Sequence, residues 1–180
     1  MRKLLIIISM FMTFLIGYGK SASLDVNMEA GAKIPSFKLK DFNGKYTKSQ
    51  KILNNGKPTL LVFVAEWCPH CHTELPEVQK FYEENKNNVN VVVVFTSSRS
   101  NLAAAKQYTA ESKFTFPVYY DADKSLMNGF KIKSVPTNVI IQNSVIENIV
   151  ESIMDYNSLK QSFYLKEITP TLRELEIFYL

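Results

Sequence analysis

Glu66-Trp67-Cys68-Pro69-His70-Cys71-His72 holds both cysteines and both histidines of a 180-residue chain. Three chemistries are open to such a stretch. A Cys-x-x-Cys pair can form and break a disulfide, and Cys-x-x-Cys-His is the attachment pattern for a c-type haem. Two thiolates with two imidazoles also make a set of soft metal ligands.

The surrounding sequence decides how these side chains are held. Leu60-Leu61-Val62-Phe63-Val64 is a continuous apolar run, as in a strand buried on both faces. Beyond the motif, Cys71, Leu75, Val78 and Tyr82 recur at the spacing of one helical face, with Pro76 predicted to kink the helix. The motif therefore sits where a strand hands over to a helix. Cys68 falls at the helix N-terminus, where unpaired N–H groups and the helix dipole favour an anion and so activate a thiolate. Pro69 fits the first helical turn without losing a hydrogen bond. His70, as a proton donor, would stabilise the thiolate further. Cys71 lies one turn on and shares the face, at a separation that suits a disulfide. Cys68 is expected to be the exposed attacker and Cys71 the thiol that resolves the mixed disulfide.

The other segments frame this junction. Residues 34–40 read as an edge strand, Asn43-Gly44 as a turn and Lys45-Tyr46-Thr47 as the return strand. Asn90 to Phe95 and Phe116 to Tyr120 read as strands, and Leu102 to Ser112 and Lys124 to Phe130 as helices. Residues 138–141 and 145–150 read as a hairpin, and Ser158 to Leu165 as a last helix. Strands alternating with helices imply an α/β fold with a largely parallel centre, to which the hairpin adds antiparallel edges.

The bulk of the chain narrows the function classes. Residues 1–22 carry Arg2, Lys3 and Lys20 and no acid, and the remainder has 18 basic against 17 acidic residues. A nearly neutral body gives no electrostatic reason to expect nucleic acid as a partner. The basic start, the apolar run from Leu4 to Ile16 and the small residues after it form the pattern of a secretory signal. Residues 1–23 are thus expected to be a signal peptide or, uncleaved, an N-terminal membrane anchor. Residues 24–33 read as a linker, 34–165 as one domain, and 166–180 as a tail or short helix. In an exported protein a disulfide persists, but two cysteines three apart close too small a loop to staple a fold. The pair is expected to be reactive.

Residues 57–76, KPTLLVFVAEWCPHCHTELP, resemble the active-site segment of the exported TlpA/ResA-like thiol–disulfide oxidoreductases. Phe37, Leu39 and Gly44-Lys45 resemble that family's N-terminal hairpin, and Ser134-Val135-Pro136-Thr137 its cis-proline loop. The resemblance spans about residues 30–155. It implies a thioredoxin-like three-layer fold with a mixed central sheet and an N-terminal hairpin extension. It further implies that Cys68 is the nucleophile, Cys71 the resolving thiol and the pair a redox-active disulfide. Trp67 would shape the surface beside them, and Glu74 would help move the proton. Pro136 would be cis and leave the Val135 backbone free to pair with an extended substrate. Clients would be cysteine-containing exported proteins, with a membrane or soluble redox partner, in the periplasm or another extracytoplasmic space. No bound cofactor and no metal are expected.

The pattern departs from relatives in two places. Val62 stands where cytosolic thioredoxins carry a buried aspartate, which leaves Glu74 to carry the proton. Pro69-His70 resembles the spacer of oxidising DsbA-like proteins, so the direction of electron flow stays open. A copper-handling thioredoxin-fold protein would need a distant histidine, and both histidines lie in the motif. A c-type haem on Cys68, Cys71 and His72, with Met127 or Met154 as distal ligand, would have to follow a buried strand, where no haem pocket is expected. Peroxidase chemistry of the peroxiredoxin type needs a proline and threonine set before the cysteine, which Ala65-Glu66-Trp67 does not supply.

Overall fold

The computed structural model describes residues 23–164; the N-terminal signal pattern and the tail after residue 165 lie outside them. The chain runs β1 (Lys38–Lys40), β2 (Tyr46–Lys48), α1 (Gln50–Leu53), β3 (Thr59–Val64), α2 (Pro69–Asn85), β4 (Asn90–Thr96), α3 (Leu102–Glu111), β5 (Val118–Asp121), α4 (Ser125–Gly129), β6 (Thr137–Gln142) and β7 (Val145–Val150). A last helix, α5, covers residues 156–164. The main sheet has the order β5-β4-β3-β6-β7. Its strands β5, β4 and β3 are parallel, while β6 and β7 run antiparallel to their neighbours.

Period two along the central strands creates two cores from one apolar run. Leu60, Val62 and Val64 of β3, with Val91, Val93 and Phe95 of β4, face Cys71, Leu75, Val78 and Phe81 of α2, Ala105 of α3 and Leu159 of α5. Leu61 and Phe63, with Val92 and Val94, face the other way onto Leu39, Leu53, Leu126 and Phe130. All six residues of β3 are buried. A continuous apolar strand is therefore what a three-layer fold demands of its centre, and β3 supplies both sides.

The N-terminal hairpin forms as read, but as a separate two-stranded sheet rather than as edge strands of the main one. Its loop is closed by Asp41, whose carboxylate accepts from the N–H groups of Asn43 and Lys45, both at 2.9 Å. Gly44 adopts φ +86° there, a backbone region open to glycine. The hairpin joins the main sheet through a single bridge, Asp41 to Tyr119 on β5. The short helix α1, between hairpin and β3, has no signal in the sequence.

Residues 24–33, which show no period, lie along the domain. The Val26 N–H donates to Gly129 O at 2.9 Å, the Gly31 N–H to Ile146 O at 2.7 Å, and Lys33 bridges Val145 of β7. Val26 is fully buried. One buried apolar anchor, Val26, and backbone hydrogen bonds hold an irregular segment without any periodic pattern. Pro76 lies inside α2, which runs unbroken from Pro69 to Asn85.

Candidate active site

Cys68 is the last residue before α2. Its backbone is extended (φ −89°, ψ 116°), and Pro69 opens the helix with the fixed φ that position needs. The Cys68 carbonyl accepts from the His72 N–H at 3.1 Å, which starts the helical ladder. Its sulfur is placed against the opposite loop: Sγ lies 3.3 Å from the carbonyl oxygen of Val135, and the Val135–Pro136 bond is cis. Two segments far apart in sequence thus meet at one sulfur.

Both cysteines are free thiols. Cys68 is 5% exposed and Cys71 is fully buried. The sequence reading made Cys68 the open one; it is the more open of the two, yet most of its surface is covered, by the cis-proline loop among others. Burial pushes the Cys71 thiol well above the ordinary range, and the nearby Cys68 and Glu74 push the same way. Cys71 therefore needs help to lose its proton.

Glu74, three residues past Cys71 on α2, is completely buried. One carboxyl oxygen accepts from the Met154 N–H at 3.3 Å, and the other has no partner among the described residues. Burial pushes its pKa up to about 7; the Asn138 side chain and the Met154 N–H oppose the shift. Asn138 is itself buried in β6. Its amide nitrogen donates one N–H to Ser152 O at 3.2 Å, which leaves the second N–H to favour the carboxylate, but burial outweighs it. Its own Oδ1 has no partner. A carboxyl poised near neutrality, one helical turn from a thiol that resists ionisation, is the arrangement a proton carrier needs.

The other predicted site residues divide. Trp67 is 36% exposed, and its indole N–H donates to Ser98 O at 2.8 Å. The Arg99 guanidinium sits 3.7 Å from its ring centroid. His70 is exposed beside Pro69. His72 is tied down: one ring nitrogen bonds the Glu66 carbonyl and the ring stacks on Tyr108, with centroids 4.6 Å apart. That pins the turn immediately before Cys68. No group of three His, Cys, Asp or Glu side chains able to hold a metal occurs among the described residues. Met127 takes a hydrogen bond from the Thr96 hydroxyl, and Met154 is buried beside Glu74.

Sequence reasoning missed Asn138, Arg99 and the role of Met154. Asn138 did leave a signal, as a lone amide in the apolar strand Thr137-Asn138-Val139-Ile140-Ile141. Arg99 and the Met154 backbone left none, because loop geometry brings them in.

A protein-family model described as the AhpC/TSA family matches residues 30–149. Among curated proteins, the chain is 32% identical over 143 residues to the thiol-disulfide oxidoreductase ResA of Oceanobacillus iheyensis, covering 78% of this chain and 73% of that one. It is also 32% identical over 113 residues to the sporulation thiol-disulfide oxidoreductase A of Bacillus subtilis, covering 61% and 68%. Among solved structures, StoA from Bacillus subtilis superposes with a TM-score of 0.63 at 29% identity, over 71% of this chain and 95% of that one. With the strand–helix dithiol and the three-layer sheet in place, these matches make the chain a member of the AhpC/TSA family, and within it a ResA-like thiol–disulfide oxidoreductase of thioredoxin fold.

Proposed function

We propose that the protein is exported and exchanges disulfides with cysteines of other exported proteins through Cys68 and Cys71. Residues 34–165, with the segment 24–33 packed on them rather than left as a free linker, form the catalytic domain, held in the extracytoplasmic space by way of the N-terminal signal or anchor. The observation that carries this reading is the buried Cys71 with Glu74 one turn away, behind Cys68, which is 5% exposed and whose sulfur lies against the Val135 carbonyl.

In the reducing direction, the Cys68 thiolate attacks a client disulfide. One client sulfur leaves as a thiolate, and a mixed disulfide joins Cys68 to the other. Glu74, ionised, takes the Cys71 proton. The Cys71 thiolate then attacks Cys68 Sγ, closing the Cys68–Cys71 disulfide and releasing the second client thiolate, which is protonated in turn. Two electrons pass from protein to client, and every step runs in reverse for an oxidase. Val135 presents its backbone beside the sulfur, and Pro136 keeps that loop against Cys68, so an extended client segment can pair there as an added strand. Trp67 walls the other side. His70 stands next to Cys68 and tunes it.

Cys71→Ser blocks resolution and should accumulate clients disulfide-linked to Cys68 in cells; Cys68→Ser should accumulate none. Absence of any linked species in the Cys71→Ser strain contradicts the exchange role. The potential of the Cys68–Cys71 couple sets direction: near about −270 mV for a reductase, near about −120 mV for an oxidase.

A further inference from the structure

Beside the attacking sulfur lies a cleft of about 330 Å3, lined by Trp67, Thr96, Ser98, Arg99, Met127, Lys133, Ser134 and Val135. The residues on its two walls adjoin the chemistry directly. Trp67 precedes Cys68, and Val135 holds the carbonyl that the Cys68 sulfur touches. A client whose cysteine reaches Cys68 along this side must lay its neighbouring side chains over the cleft.

The lining is one-sided in charge. It contains two cations, Arg99 and Lys133, and no acid. Both are exposed, and neither has a carboxylate within ion-pair reach among the described residues. Arg99 is also fixed in place. Its guanidinium lies on the Trp67 ring at 3.7 Å, the ring is anchored by the indole bond to Ser98 O, and the Arg99 backbone sits at φ +56°, where few non-glycine residues go. A stacked arginine keeps its N–H edge free to take a carboxylate side-on.

We propose that Arg99 and Lys133 select clients that carry an acidic side chain beside the reacting cysteine. This selection rests on the exchange reading above and deepens it. Charge complementarity here acts on encounter and register rather than on the sulfur chemistry itself.

The test uses three peptides, each with one cysteine in a disulfide to a chromophoric thiol and with glutamate, glutamine or lysine beside it. Release of the chromophore by the reduced protein is divided by release from the same peptide by dithiothreitol, which removes intrinsic thiol reactivity. The normalised rate should favour glutamate over lysine by roughly fivefold at low salt and converge at about 1 M salt. Arg99→Gln combined with Lys133→Gln should bring the ratio to about one. Lys133→Glu, a change at an exposed side chain with no partner, should lower or invert it, so a disturbed Trp67 stack in the double variant does not end the test. Equal, brisk rates with all three peptides overturn the selection and leave disulfide exchange standing, as does a preference that survives both variants. Failure to react with any peptide overturns both.

Discussion

Among the described residues two carboxylates are buried, and they are held in opposite ways. Asp121, at the end of β5, is 3% exposed and has both oxygens engaged, with the Leu126 N–H at 3.1 Å and the Met127 N–H at 2.8 Å. It ties down the start of α4. Glu74 is more deeply buried, yet it accepts one long bond, and its other oxygen has no partner among the described residues. Burial raises the pKa of both. A buried carboxyl with its lone pairs filled is structural cement, whereas one left half-filled beside a thiol is kept for its proton.

Substitutions can break this contrast. Glu74→Gln should slow resolution of a Cys68 mixed disulfide by about 100-fold, the usual scale for a lost proton carrier, measured by single-turnover release of client thiol. The same change should not cost stability. A carboxyl whose pKa rises from 4.5 in the unfolded chain to about 7 in the fold favours the folded state when protonated. That stability is complete below about pH 4.5, lost as pH rises towards 7, and amounts to about 3 kcal/mol. Urea unfolding should show this decline in the wild type and a shallower one in Glu74→Gln, which above pH 7 should be the more stable protein. A decline of equal size in both would assign it to other groups.

Asp121→Ala should do the reverse. Leaving one buried and one part-buried N–H group unpaired should cost about 2 kcal/mol, read as a lower urea midpoint, with resolution rate per folded molecule within about twofold of wild type. A large loss of rate there would put Asp121 in the chemistry. Asn138→Leu is the finest probe. Asn138 opposes the rise in the Glu74 pKa, so its removal should move the pH midpoint of resolution upward. A downward move would mean that Asn138 Oδ1 accepts a hydrogen bond from the protonated Glu74 carboxyl rather than favouring the carboxylate.

The same contrast marks what the sequence could disclose. The four-valine run of β4 and the apolar β3 announce buried strands, and Cys71, Leu75 and Val78 announce the buried face of α2. Glu74 falls beside that face by spacing, but nothing in its neighbours separates a buried acid from a surface one. The deciding contact, the Met154 N–H, lies 80 residues on. The wrapping of residues 24–33 was equally hidden. Gly129 lets that segment in, since a Cβ there would meet the Leu24 side chain at 2.5 Å, and no local pattern encodes such an approach. Hairpin and motif are local; the pocket behind the motif is tertiary.

The most direct measurement is the rate at which a preformed Cys68 mixed disulfide releases its client thiol across about pH 5 to 9 in wild type and in Glu74→Gln. The wild-type rate should rise with a midpoint near 7, following ionisation of Glu74, and that midpoint should vanish in the variant. An identical profile in both proteins would show that Cys71 loses its proton by another route and would contradict the assignment of Glu74.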